Sequence, residues 1–213
     1  MSQENSPKTY KCLLCHDSGY VFFEQNGYSY VRSCGCFYDT LVEHNFGSHY
    51  RGKTLDNYEG RSPSMAKAKE ILGNNLKDSF FITGDVGLGK THLMAGLFYK
   101  MLMEGRQSSE ILVMTELELL GKLVEKDADL EMIERSKTIF LDDMGKIVLN
   151  KWQMEKFFAF YNDIYRHERQ LIISSNYSIA DISDGEMYGG AIGRRIEERA
   201  RILEIKLPEL LDS

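Results

Sequence analysis

Nowhere does the chain string together the roughly 18 apolar residues that a membrane-spanning helix needs. Its first dozen residues, MSQENSPKTYKC, lack the apolar core of a secretory signal. A membrane partner is thereby excluded, and a cytoplasmic location is expected. Positive charge is not in excess either: Lys+Arg 26 against Asp+Glu 32 gives a formal net charge of −6. Tight nucleic-acid binding through bulk charge is excluded, so any such contact must come from a local patch. Prolines are few, and all three (Pro7, Pro63, Pro208) stand near expected element boundaries. No repeat or low-complexity tract is present. Cysteine is absent after residue 36; all 4 cysteines fall within 12–36. That clustering argues against a disulfide framework and for a metal site. What is present is globular in composition, 43% apolar and 27% charged over 213 residues. Such a length supports one full core with a small appendage, not two ordinary enzyme domains.

The appendage is the N-terminal part. Gly19–Glu24 and Tyr28–Ser33 are aromatic and β-branched, and Asn26-Gly27 between them is the dipeptide that a tight hairpin turn favours. The hairpin returns Cys34-x-Cys36 beside Cys12-x2-Cys15, so the two pairs converge as a tetrahedral thiolate site requires. Cys12, Cys15, Cys34 and Cys36 are therefore the expected zinc ligands. Four protein sulfurs leave no open position for water, which makes the site structural. His16 and His44 are not needed for it. The joint to the second part is expected within 47–61, a glycine-containing, aperiodic stretch.

From about residue 62 onward, strand-like apolar runs alternate with helical patterns, the signature of an α/β parallel sheet. Ser79–Thr83 leads into Gly84-Asp85-Val86-Gly87-Leu88-Gly89-Lys90-Thr91-His92, and a helical pattern follows to about Glu104. This is a G-x4-G-K-T loop between strand and helix. Its amides and the helix N-terminus suit phosphate oxygens, Lys90 suits the β- and γ-phosphates, and the Thr91 hydroxyl suits Mg²⁺. A second strand is expected at Ile111–Met114, followed by a Thr115-x-x-Glu118 capping box and a short helix capped by Asp127. A third strand, Thr138–Leu141, ends in Asp142-Asp143. The first carboxylate suits Mg²⁺, and the second suits orienting or deprotonating an attacking water.

A helix is expected over 150–167, with Trp152, Phe157, Phe158 and Tyr161 as a core-facing stripe. The strand 171–174 then delivers Ser175-Asn176. An asparagine there is placed to polarise the γ-phosphate or position water; alternatively it closes an Asx turn. Ala191–Arg201 reads as a charged helix with Arg194–Glu198 and Glu197–Arg201 pairs. Arg199 has no acid three or four positions away, which leaves it available to a phosphate on a neighbouring subunit.

The succession GDVGLGKTHL, IFLDDMG, LIISSNYS and GRRIEERARIL resembles the DnaC/DnaI-like AAA+ helicase loaders and their IstB-type relatives in transposition, over roughly residues 53–207. The segment CLLCHDSGYVFFEQNGYSYVRSCGC resembles the zinc segment that precedes the ATPase core in many DnaC-like proteins. The resemblance implies a zinc-binding hairpin module over 1–50 and an AAA+ P-loop ATPase domain over 51–213, its parallel sheet flanked by helices. It implies ATP, Mg²⁺ and Zn²⁺ as cofactors. Asp142 and Asp143 take the metal and catalytic positions, Asn176 sensor 1, and Arg199 the arginine finger across a homo-oligomer interface. Tyr58 falls where such proteins approach the adenine. The implied function is ATP-dependent loading of a replicative DnaB-type helicase, with ATP as an assembly switch.

Two departures from the pattern accompany this expectation: no helicase-binding extension ahead of the cysteines, and no basic tail after Pro208. Hydrolysis is therefore expected to be weak or partner-stimulated. Residues 115–135, where relatives contact nucleic acid, are rich in acids (Glu116, Glu118, Glu125, Asp127, Asp129, Glu131, Glu134) against Lys122, Lys126 and Arg135. Any single-stranded DNA contact is therefore expected to need several subunits. The alternatives carried are an IstB-like transposition helper and a non-catalytic ATP-binding adaptor or inhibitor of a helicase.

Overall fold

The computed structural model describes residues 10–124, 130–184 and 187–208. Asp127 and the other acids within 125–129 lie outside these. The chain forms two compact units that divide between Gly52 and Lys53.

In the first unit, strands β1 (Tyr20–Gln25) and β2 (Tyr28–Ser33) pair antiparallel, with Tyr20 opposite Ser33 and Gln25 opposite Tyr28. Asn26 (φ 51°) and Gly27 (φ 77°) both occupy the left-handed region, as a two-residue turn matching strand twist demands. Helix α1 (Gly35–Phe46) follows directly from Cys34, a helix not expected from the sequence. It buries only Val42, so its apolar periodicity is too faint to announce it.

The second unit is built on a five-stranded, all-parallel sheet: β3 (Ser79–Thr83), β4 (Ile111–Thr115), β5 (Thr138–Met144), β6 (Gln170–Ser175) and β7 (Ala200–Glu204), in spatial order β4-β5-β6-β3-β7. Phe80, Phe81, Ile139, Phe140, Leu141, Ile172 and Ile173 are buried, as residues of a sheet covered on both faces must be. The connecting helices are α2 (Pro63–Asn74), α3 (Lys90–Met103), α4 (Glu116–Val124), α5 (Leu130–Arg135), α6 (Lys151–Arg166), α7 (Ile179–Ile182) and α8 (Gly190–Arg199). Pro63 opens α2 behind Ser62, whose hydroxyl accepts from the Met65 amide. Asn150 and Gln153 form a reciprocal capping box on α6.

Two expectations are corrected here. The charged segment 191–201 is not one helix: α8 stops at Arg199, and residues 200–204 become β7, paired parallel to β3 from Ser79–Ala200 to Thr83–Glu204. An edge strand carrying Arg201 and Glu204 has the charge that protects an exposed edge, and that charge made it read as helix. Arg201 consequently pairs with Asp78 at 2.6 Å instead of with Glu197. On α6, the buried stripe is Phe157, Phe160, Tyr161 and Ile164, whereas Trp152 and Phe158 stand at the surface. Phe158 lies one residue, about 100° of helix, off the buried face, and Arg195 covers its ring at 4.6 Å.

Candidate nucleotide and metal sites

The candidate nucleotide site lies at the carboxyl ends of the strands, where open parallel sheets place their ligands. From β3 the chain turns through Gly84–Gly89 into α3, whose first residue is Lys90. Gly89 holds φ 81°, and a Cβ there would meet the Tyr58 ring at 2.8 Å, so only glycine fits. Tyr58, buried, donates from its hydroxyl to the Leu88 carbonyl at 2.8 Å; burial pushes its pKa up to about 12. It braces the loop from within the protein. Lys90 is only 6% exposed as a residue, and its ammonium donates to the Gly84 and Asp85 carbonyls at 2.7 and 2.8 Å. Burial lowers its pKa, opposed by the charges of Asp143, Asp142 and Asp85. His92 turns elsewhere: its Nε2 lies 3.0 Å from both Thr54 O and Asn57 Oδ1.

Strand β5 is separated from β3 by β6, and that spacing carries Asp142 to the start of α3. The Thr91 hydroxyl donates to Asp142 Oδ2 at 3.0 Å. Ser174, on β6, donates to the other carboxylate oxygen. Burial raises the Asp142 pKa; the Ser174 hydrogen bond opposes this and the Asp143 charge adds to it. A half-buried carboxylate facing a hydroxyl, with its ionised form penalised by burial, suits a divalent cation, whose charge would restore ionisation. The strand pairing then slips between Leu141 and Met144. Asp143 takes φ 62°, donates its amide to Ser174 Oγ at 3.0 Å, and pairs through Oδ2 with Lys146 Nζ at 2.8 Å. Asn176, partly exposed, follows the end of β6 directly.

Lys90, Thr91, Asp142 and Asp143 are thus brought together. Arg199 stands at the end of α8, where it donates to the Tyr165 carbonyl at 2.9 Å, lies over the Tyr165 ring, and has Glu168 3.8 Å away. It is not unpaired: its partners come from outside its own helix, beyond the reach of i,i+4 reasoning.

The sequence alone does not single out Ser174, Lys146 or Glu116 as site residues. Glu116 opens α4, yet the capping there is done by Thr115 and Glu118, as expected. The Glu116 carboxylate instead turns inward, 1% exposed, accepting from the Gly145 and Lys146 amides at 3.1 and 3.0 Å and from the Tyr188 hydroxyl. Burial lifts its pKa to about 7, opposed by the amides of residues 145–147 and reinforced by Asp143. The folded state therefore holds this proton more tightly than the unfolded chain. The stability it contributes is full below about pH 4.5 and is lost as pH rises through about 7. At about 1.4 kcal/mol per unit, the loss is on the order of 3 kcal/mol. Urea unfolding of the ATPase unit at pH 5 and pH 8 should show that slope in wild type and a flatter one in Glu116→Gln.

In the first unit the four cysteine sulfurs all lie within 4.8 Å of one another, with Cys12–Cys34 at 3.8 Å and Cys15–Cys36 at 3.3 Å. Sulfurs about 2.3 Å from a tetrahedral zinc would stand about 3.8 Å apart. The Asp17 carboxylate accepts from the Lys11 and Cys12 amides, fixing the first knuckle, and Cys34 donates its amide to Gly19 O at 2.8 Å, closing the second against it. Burial works to raise the Cys15 thiol, but hydrogen bonds, led by that from Cys36, bring it down to about 7; Cys34 and Cys36 are pushed up. Sulfurs this crowded ionise together only around a cation, so the donor set fits zinc.

The sheet order, the glycine-lysine turn and the Thr91–Asp142 pair define a P-loop ATPase domain of the AAA+ class. Residues 51–186 match the family described as the bacterial DnaA ATPase domain, and the chain belongs to that family. Among curated proteins, the chromosomal replication initiator DnaA of Lachnoclostridium phytofermentans (strain ATCC 700394 / DSM 18823 / ISDg) is 34% identical over 110 residues, 48% of this chain and 24% of that protein. The chain thus spans about a quarter of that relative. Among solved structures, the DnaC helicase loader superposes with a TM-score of 0.66 at 22% identity, covering 75% of this chain and 99% of that one. A replication initiator DnaA bound to AMPPCP and single-stranded DNA superposes at 0.58 and 26% identity, covering 74% of this chain and 50% of that one. No helix of the described residues is long and apolar enough to cross a membrane.

Proposed function

We propose that the chain is an ATP-switched loader that delivers a replicative DnaB-type helicase to DNA at replication initiation. The observation that carries the reading is the meeting of Thr91 with Asp142 beside the buried Lys90 at the mouth of the P-loop. The superposition with the DnaC helicase loader supports the partner, and the AMPPCP-bound DnaA supports the nucleotide.

Magnesium-ATP supplies the phosphoanhydride bond that is cleaved. Lys90 leaves the Gly84 and Asp85 carbonyls for the β- and γ-phosphates, while the loop amides and the N-terminus of α3 close on the phosphate oxygens. Thr91 and Asp142 hold the magnesium. Asp143 orients the attacking water and takes its proton, and Asn176 polarises the γ-phosphate. Arg199 serves the phosphate of a neighbouring copy, for which it must leave Tyr165 and Glu168. Hydrolysis by the lone chain is weak, because one arginine of the site comes from the neighbour. Single-stranded DNA is contacted by the assembly, across several subunits.

Cys12, Cys15, Cys34 and Cys36 hold a structural zinc. The N-terminal unit is then a zinc-bound module ahead of the ATPase unit.

Affinity capture of the intact chain in ATP, ADP and no nucleotide tests this function. A replicative helicase retained in ATP and released in ADP is the expected result. A transposase in its place, or a helicase held equally in all three states, would overturn it.

A further inference from the structure

We infer that Glu116 is a positioning residue that sets the direction of Asp143 through the loop following it; this rests on the reading of Asp143 above. The chain around Asp143 is bent sharply. Asp143 itself has φ 62°, and Gly145 has φ 103° with the Tyr177 ring packed where a side chain would stand. Such a turn keeps one shape only if its amides are held. The Glu116 carboxylate holds two in succession, Gly145 and Lys146, while Tyr188 donates to its other oxygen. Lys146 closes the chain of contacts: its amide is fixed by Glu116, and its ammonium pairs with Asp143 at 2.8 Å. Fixing the Lys146 backbone therefore fixes the partner that aims the Asp143 carboxylate.

Glu116 touches neither Thr91 nor Asp142 among its hydrogen bonds, so its removal should leave nucleotide and magnesium binding in place. It opens α4, immediately after β4, so whatever displaces the start of α4 displaces Asp143 with it. The three contacts join one helix start, one loop and Tyr188, and convert a movement of α4 into a change at the water-orienting carboxylate.

The intact protein tests this in two ways. Amide hydrogen exchange in Glu116→Ala should speed up about tenfold or more at residues 145–146, whose donors lose their acceptor. ATP hydrolysis should fall by a similar factor while affinity for a fluorescent ATP analogue stays within about twofold. Glu116→Gln keeps a carbonyl oxygen for the loop amides and should recover most of the rate. In an Asp143→Asn background, Glu116→Ala should cost nothing further, since both act on one step. Unchanged exchange at 145–146, or affinity falling in step with hydrolysis, would overturn the inference. A wild-type chain that bound no nucleotide would end the functional reading instead, and exchange alone would then decide whether Glu116 holds the loop.

Discussion

Removing the metal, or one of its four sulfurs, is expected to unfold the N-terminal unit while the ATPase unit stays folded. Among the described residues before Lys53, only Cys15, Cys34 and Val42 are buried apolar residues, and two of these three are proposed ligands. Phe22, Tyr28 and Val31 of the hairpin are largely exposed, at 76%, 69% and 57%. A two-stranded hairpin with one short helix has too little apolar surface to fold by itself. Structural zinc contributes about 10–16 kcal/mol in comparable small modules, more than any other interaction such a unit contains. The residues from Lys53 onward have a core of their own around Phe80, Phe81, Phe98, Phe140 and Phe157. Elemental analysis should find one zinc per wild-type chain and less than about a tenth of that in Cys34→Ser. Limited proteolysis should then cut the variant within 10–52 and spare the rest. A metal-free chain whose hairpin resisted protease would remove the zinc from the account.

The second large effect is expected at Lys90. Its ammonium donates to two carbonyls of its own loop, so the group proposed to meet the phosphates also holds the loop in shape. Lys90→Ala removes at least one charge-assisted hydrogen bond, about 1.5–3 kcal/mol each, together with the charge that balances the triphosphate. Two such bonds correspond to a weakening of about 100-fold or more in ATP affinity. The fold should persist, because α3 is anchored by Leu93, Met94, Leu97, Phe98 and Met101, all buried. Thermal unfolding without nucleotide should therefore be nearly the same in variant and wild type.

What could be read from the residues follows from how local each signal is. The Asn26-Gly27 turn, the glycine-lysine loop and the Asp142-Asp143 strand end are contiguous motifs, and each lies in the element expected of it. Thr91 and Asp142, distant in sequence, could be paired in advance because a parallel sheet gathers strand ends on one edge. Other features needed the third dimension. Strand β7 is a charged edge whose Arg201 finds Asp78, not a helical neighbour. Arg199 looked unpaired because its partners, Tyr165 and Glu168, come from the end of α6 and beyond. In the sequence Glu116 is one of seven acids in residues 115–135. Only the fold shows that it is buried against the loop behind Asp143, and no periodicity distinguishes it from Glu118 two residues on.

The most direct test of the central claim, that the glycine-lysine turn clasps ATP with Thr91 and Asp142 sharing its magnesium, is a calorimetric titration of magnesium-ATP into wild type and Lys90→Ala. The account predicts one saturable site in the wild type, weakened about 100-fold by the substitution and by removal of magnesium. Equal affinity in the two proteins, or no binding to the wild type, would contradict it.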